Sequence, residues 1–139
     1  MQNRAKVVVA YLDGRRIKGY VFDFSALKES FYVFPDENGH PATMHPEHGT
    51  PVQLKDLKAV FFVKDFAGNA EHRDKVPEAI QRHGRQLEVI FRDGEVQVGV
   101  TEAYNPQKPG FFMFPADLEC NNERIFVINR NVSEVRVVK

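Results

Sequence analysis

Short runs of apolar residues, each closed by a turn signal, predict that the chain is built from β-strands. Residues 6–12 are rich in β-branched side chains and end at Asp13-Gly14, a pair typical of a tight hairpin turn. A second pair, Asp93-Gly94, closes another such run. The predicted strands are 6–12, 16–24, 31–34, 52–54 and 58–64 in the first part of the chain, and 86–92, 95–103, 111–114, 125–128 and 132–138 in the second.

The same pattern occurs twice along the chain. Residues 7–35 recur without a gap at 87–115, an offset of 80, so that Gly19 matches Gly99. Near the ends of the two parts the match resumes at an offset of 75, where Leu57 matches Val132. A repeat of this length predicts an internal duplication.

We therefore predict an all-β fold of two tandem five-stranded small barrels, because closure removes exposed strand edges. Repeat 1 covers residues 1–64 and repeat 2 covers residues 85–139. Residues 65–84 form a linker, in which Asp74 and Gly84 are suited to begin and end a short helix. The pattern leaves open whether the repeats form separate barrels or one fused unit.

Composition and charge place the chain among ordinary globular proteins. It has 19 basic and 19 acidic residues, and this balance disfavours non-specific binding to nucleic acid. The single cysteine, Cys120, excludes an internal disulfide and fits a reducing compartment. The apolar run near the N-terminus is too short for a signal-peptide core or a membrane span. We expect a cytoplasmic protein without a membrane partner.

Two segments resemble the motifs of the Sm-like family. Residues 13–19, Asp-Gly-Arg-Arg-Ile-Lys-Gly, resemble its first motif, and residues 126–135 resemble its second, which is two strands joined by a very tight turn. The resemblance implies a strongly bent five-stranded barrel that often forms rings and binds RNA in its loops. At the positions of the family's RNA-binding Asp and Asn, the first repeat has Ser25 and Glu29.

A second resemblance is to the PilZ family, whose small barrels are receptors for cyclic di-GMP. Residues 23–25, Asp-Phe-Ser, match the start of that family's Asp/Asn-x-Ser-x-x-Gly motif, with Lys28 at the position of the glycine. Arg4 and Lys6 lie where the family has paired arginines. The loops at 24–31 and 104–111 are also similar to those of uncharacterised bacterial domains that occur alone or attached to signalling proteins.

Five basic residues are the candidates for binding a ligand or nucleic acid. Arg15, Arg16 and Lys18 form the densest basic cluster of the chain, on and beside the first hairpin, and are suited to contact phosphate. Lys28 and Lys108 occupy matched positions in the two repeats, which suits a shared role in anion binding.

Signals for a metal site or for catalysis are weaker. His40, His45 and His48 lie in the exposed loop predicted for residues 36–51, and imidazole is a suitable ligand for zinc or copper. Their spacing matches no known zinc finger, so we predict an ordinary loop, no metal and no other cofactor. The sequence contains no Gly-rich phosphate loop, no Gly-x-Ser-x-Gly elbow and no paired cysteines, and we expect no enzyme activity.

These patterns favour a non-enzymatic binding or regulatory module of a bacterial cytoplasmic protein. It would recognise a protein partner or a small nucleotide through its barrel loops. Sm-like RNA binding and a degenerate PilZ-like response to cyclic di-GMP are the two alternatives. The Sm-like alternative also predicts a homo-oligomer.

Overall fold

The computed structural model describes residues 4–22, 24–25, 27–37, 40–41, 49–67 and 83–138, with the backbone alone at residues 37, 40 and 41. The described chain is all-β, as predicted, with short 3-10 turns at Leu54–Asp56 and Asn129–Asn131. The linker helix predicted to begin at Asp74 falls outside the described residues. Nowhere in the described ranges is there a helix of the length and apolar character needed to cross a membrane.

The strands fall into two groups, here called the N-terminal half (residues 4–67) and the C-terminal half (residues 83–138). The N-terminal half contains β1 (Arg4–Tyr11), β2 (Arg16–Phe22), β3 (Ser30–Val33), β4 (Asp36–Glu37), β5 (His40–Pro41), β6 (Thr50–Gln53) and β7 (Leu57–Val63). The C-terminal half contains β8 (Arg85–Phe91), β9 (Val96–Thr101), β10 (Gly110–Pro115), β11 (Asn122–Ile128) and β12 (Val132–Val137). The loop prediction for residues 36–51 misses β4, β5 and the start of β6, because strands this short have no readable periodicity.

Strands pair in the same order in both halves. In the N-terminal half, β7, β1 and β2 are neighbours, Tyr20 on β2 bridges to Phe34, and β3 pairs with β6. In the C-terminal half the order is β12, β8, β9, β10 and β11. The Asp-Gly turns also match, since Gly14 and Gly94 have positive φ angles of 96° and 92°.

One open antiparallel sheet of eight strands runs through both halves, in the order β12, β8, β9, β10, β11, β7, β1, β2. The halves join where β11 pairs with β7, with Phe126 opposite Val60. The outer edge of β7 therefore pairs with the other half and does not close onto β6. The closure of each repeat into its own barrel, predicted from the sequence, is not confirmed.

The central strands β1 and β7 are buried on both faces. Val7, Val9 and Val60 face one hydrophobic core, which also contains Phe126 and Ile128 of β11. The alternate residues of the same strands face a second core, which they share with β8. They are Val8, Ala10, Ala59, Phe61 and Val63, packed with Leu87, Val89 and Phe91. Each core thus contains residues from both halves, so the halves pack as one unit.

Candidate functional site

The two Asp-Gly turns have the same geometry but opposite charges at one position. Asp13 Oδ1 accepts the N–H of Arg15, and Asp93 Oδ1 accepts the N–H of Glu95, both at 3.0 Å. Arg15 remains exposed, where its Nε donates to Asp13 Oδ2 at 2.8 Å and its guanidinium lies 4.4 Å from the centre of the Tyr11 ring. Arg15 thus has its own local partners on the hairpin.

Glu95 stands at the position matched to Arg15 and faces Lys58 of the N-terminal half. The Lys58 side chain is 8% exposed, and its ammonium pairs with Asp93 Oδ2 at 2.7 Å and with Glu95. The hydrogen bond from Lys58, followed by that from the Glu95 N–H, holds the pKa of Asp93 below its ordinary value. A buried ammonium is stable only with such partners, so this cluster fixes the C-terminal hairpin against β7.

The loops before β3 and β10 form similar turns. Ser25 Oγ accepts the N–H of Leu27 at 3.1 Å, and the Ser25 carbonyl oxygen accepts the N–H of Lys28 at 3.3 Å. In the C-terminal half, the Asn105 carbonyl oxygen accepts the N–H of Lys108 at 3.1 Å. Both lysines are therefore presented from ordered turns.

Each of these loops is held against the 3-10 turn of its own half. The Leu54 N–H donates to the Glu29 carbonyl oxygen at 2.9 Å. Asn129 Nδ2 donates to the carbonyl oxygens of Asn105 at 2.9 Å and Lys108 at 2.8 Å. These bonds bring the loop and the turn of each half together as one surface.

The surfaces of the two halves meet at a small pocket, here called the loop pocket, with a volume of about 180 Å³. The N-terminal half contributes Lys28, Glu29 and Lys55, and the C-terminal half contributes Pro109 and Arg130. Drug-sized ligands occupy about 300–1,000 Å³, so this pocket suits one group, such as a phosphate or a carboxylate. Three cations against one carboxylate favour an anionic group.

Asn131 ties together the two 3-10 turns that carry Lys55 and Arg130. Its side chain is buried, and Nδ2 donates to the carbonyl oxygens of Lys55 at 3.0 Å and Leu57 at 2.8 Å. This contact crosses from one half to the other. It therefore fixes the position of Lys55 relative to Arg130.

A larger groove of about 600 Å³ lies between the halves and is lined by Arg16 and Lys18 of β2. Lys18 Nζ donates to the Phe66 carbonyl oxygen at 2.9 Å. The charged residues that line this groove include three cations and three carboxylates, namely Arg16, Lys18, Lys64, Asp65, Glu95 and Glu119. The basic cluster singled out from the sequence is thus balanced by acidic neighbours.

The five binding residues predicted from the sequence fall in four places. Arg15 lies on the hairpin surface, Arg16 and Lys18 line the groove, and Lys28 lines the loop pocket. Lys108 lines a third concavity beside β12. Lys28 therefore lies with Lys55 and Arg130 rather than with the hairpin cluster.

Lys55 and Arg130 are missing from the candidates named from the sequence, although a signal for them exists. The offset of 75 matches Lys55 with Arg130, just as the offset of 80 matches Lys28 with Lys108. Cations retained at matched positions of a repeat point to the loop pocket, whereas the local density of charge points to the first hairpin.

The structure does not test a metal site at the three histidines, because none of their side chains is described. His40 lies in β5, where the backbone alone is described, and His45 and His48 fall outside the described residues. Among the side chains that the structure describes, no group of three or more His, Cys, Asp or Glu could hold a metal ion.

Comparison with known proteins identifies the family of the chain. No curated protein and no solved structure matches it. A family model matches residues 3–139, almost the whole chain. The chain therefore belongs to DUF6982, a family of unknown function.

Proposed function

We propose that the chain is a non-enzymatic binding module, a tandem pair of Sm-like units that recognises an anionic group of a protein or nucleotide ligand at the loop pocket. The observation that carries this proposal is the convergence of Lys28, Lys55 and Arg130 from both halves on one pocket. Hydrogen bonds hold the surrounding loops before a ligand arrives, which lowers the entropic cost of binding.

The duplication of a small barrel is supported by details that recur at matched positions. A β-bulge lies where the pairing shifts from Ala10–Ala59 to Tyr11–Leu57, and the same bulge lies where it shifts from Ile90–Glu134 to Phe91–Val132. A 3-10 turn precedes the last strand of each half. These shared irregularities favour two copies of one ancestral unit over chance similarity.

A thermal-shift screen at low salt tests the binding function, with cyclic di-GMP, short single-stranded RNA and acidic peptides as probes. A ligand present at about 100 times its Kd stabilises the folded state by about 2.7 kcal/mol, so a concentration-dependent rise in Tm is expected with one class. The double variant Lys28→Glu/Arg130→Glu should lose that rise. Arg15→Glu, a single charge reversal outside the pocket, should keep it.

The screen has two outcomes that contradict the proposal. One is the absence of a shift with every class of probe. The other is a shift that the pocket variant retains and the hairpin variant Arg15→Glu loses, which would move binding to the hairpin cluster.

Single-stranded RNA is a second candidate ligand. It is favoured by four exposed cations at matched positions of the halves, Lys28, Lys55, Lys108 and Arg130. Binding to RNA should weaken with salt, with a slope of log K against log salt of about −0.7 for each phosphate contacted. A slope steeper than that expected for two phosphates would favour RNA over a cyclic dinucleotide.

A further inference from the structure

The outer edge of β12 is the counterpart of the β7 edge that carries β11. At the offset of 75, the residues Leu57, Val60 and Phe62 of β7 match Val132, Val135 and Val137 of β12. The three residues of β7 are almost fully buried, and Val60 and Phe62 lie opposite residues of β11. On β12, Val132 and Val135 are half-buried and Val137 is 43% exposed. In the part of the chain that the structure describes, no strand pairs with this edge.

An open concavity of about 510 Å³, here called the β12 groove, lies beside this edge. It is lined by Tyr104, Val132 and Val135, among others. Its counterpart in the N-terminal half is filled by Phe126 of β11, whose ring centre lies 5.2 Å from that of Phe24, the residue matched to Tyr104. The β12 groove therefore has the form of a strand-docking site without its strand.

The backbone of β12 presents hydrogen-bonding groups to this groove. The Val138 N–H donates to the Gln86 carbonyl oxygen at 2.9 Å and so faces β8. Because successive backbone groups of an antiparallel strand alternate in direction, the N–H and C=O groups of Val135 and Val137 face away from β8. Their counterparts in β7, Val60 and Phe62, lie opposite residues of β11.

We propose that an extended peptide segment of a partner protein adds to β12 as a further antiparallel strand. Its register follows that of β11 on β7, with an aromatic side chain opposite Val135 and over Tyr104. An aliphatic side chain follows two residues later, as Ile128 follows Phe126. The main-chain hydrogen bonds give affinity, and the alternate apolar side chains give specificity.

The outer face of β12 argues against a second copy of this chain as the occupant. In the N-terminal half, the outward residues Ala59 and Phe61 of β7 are buried under the C-terminal half. The matched residues Glu134 and Arg136 are exposed and pair with each other at 2.9 Å. A second folded copy would bury these charges at a cost in free energy, whereas a single strand leaves them in water.

The strand that a second copy could offer is also poorly suited. The counterpart of β11 is β6, where Pro51 replaces Phe126. The Leu54 N–H faces the β3 side, towards Glu29, so by alternation the backbone of Pro51 faces the free edge, where it has no N–H to donate. A proline at this position blunts the edge of β6 against pairing with another chain.

Peptide binding at β12 does not require a ligand in the loop pocket. It is tested with the full chain and a labelled peptide. The probe is a fluorescent peptide of residues 122–128 that carries Ile125→Thr and Val127→Thr, since those two side chains face the other core in β11. Anisotropy should show saturable binding. The protein variant Val137→Pro removes the backbone N–H that residue 137 points away from β8. Loss of the hydrogen bond that this group would donate to the peptide, roughly 1.4 kcal/mol, should weaken binding about tenfold.

Two controls separate this effect from a loss of folding. Val137→Thr keeps the backbone N–H and should bind the peptide as the natural chain does. A peptide with the additional change Phe126→Asp should not bind. Both protein variants should keep the Tm of the natural chain, because the backbone groups of residue 137 point away from β8 and make no hydrogen bond to it.

The proposal is overturned if the peptide shows no saturable binding, or if Val137→Pro binds it as well as the natural chain. Sedimentation equilibrium gives a third check. A concentration-dependent dimer that Val137→Pro abolishes would make a second copy the occupant, and the peptide partner would be wrong.

Discussion

Lys58 and Asn131 are buried polar residues at the contact between the halves. Each has two partners across that contact: Lys58 pairs with Asp93 and Glu95, and Asn131 donates to the carbonyl oxygens of Lys55 and Leu57. A buried polar group without a partner costs free energy, so arrangements of the halves that separate these groups are disfavoured. The apolar residues supply most of the attraction, and these two residues select the register.

Replacement of the charged group of Lys58 tests this role. Lys58→Met keeps most of the apolar stem and should lower the free energy of unfolding by about 1–2 kcal/mol in urea titrations. The loss is moderate because the Asp93 side chain is 58% exposed, so the carboxylate returns to water. Lys28→Met, an exposed control, should change it by less than about 0.5 kcal/mol. Equal effects of the two changes on the free energy of unfolding would contradict the stabilising role given to Lys58.

The same contact predicts a dependence of stability on acid. Because the folded-state pKa of Asp93 lies below its ordinary value of 3.8, its pairing stabilises the fold above that pH and is lost as pH falls through the lower folded pKa. Unfolding measured from about pH 5 downward should therefore show less loss of stability in Lys58→Met than in the natural chain. The pKa of Asp13 is lowered by its hydrogen bonds with Arg15, which the variant leaves in place, so Asp13 contributes equally to the two pH profiles. Identical pH profiles would contradict the role given to Asp93.

At the scale of elements, the matched strands β7 and β12 differ in pattern for a physical reason. β7 reads Leu-Lys-Ala-Val-Phe-Phe-Val and all seven residues are buried, whereas β12 reads Val-Ser-Glu-Val-Arg-Val and has polar residues on its outer face. A strand buried on both faces is almost entirely apolar, here with the ion-paired Lys58 as the exception, and a strand with one face in water alternates. The difference between the two copies thus reflects the packing of the C-terminal half on β7.

At two matched glycines, neighbouring strands approach so closely that a side chain does not fit between them. A Cβ at Gly19 would collide with the carbonyl oxygen of Phe34, and one at Gly99 would collide with that of Phe114. Gly19→Ala and Gly99→Ala should each lower the free energy of unfolding by about 1–3 kcal/mol, as overpacked sites do. Thr50→Ala, at an exposed position of β6, is the control and should change the free energy of unfolding little. A neutral effect at either glycine would contradict the close approach.

Sequence alone predicts the local elements well and the long-range pairing poorly. The strand positions and both Asp-Gly hairpins follow from periodicity and turn residues, which act over a few neighbours. The pairing of β11 with β7 joins residues 59 to 68 positions apart, and local pattern does not specify it. The pattern of β7, apolar except for Lys58, differs from the alternating pattern of β12. This difference was the available signal, and it predicts burial without naming the partner.

At the scale of the molecule, the two halves share both hydrophobic cores. Neither half can unfold without exposing apolar residues of the other, which couples their stabilities. The convergence of the loops at one pocket depends on this coupling.

Calorimetry tests the coupling directly. The chain should unfold in one transition whose calorimetric and van't Hoff enthalpies agree. Phe126→Ala removes a fully buried ring at the contact between the halves and should lower the stability by about 3–5 kcal/mol while keeping a single transition. Two separate transitions in the natural chain would show that the halves are independent.

The most direct test of the central claim is an amide NMR titration of the ¹⁵N-labelled chain with cyclic di-GMP and, separately, with a short uridine RNA. One of these probes should shift the amides of Lys28, Lys55 and Arg130 along a single saturation curve, because both halves contact the same bound ligand. Shifts confined to one half, or to the hairpin of Arg15 and Arg16, would contradict a shared site at the loop pocket.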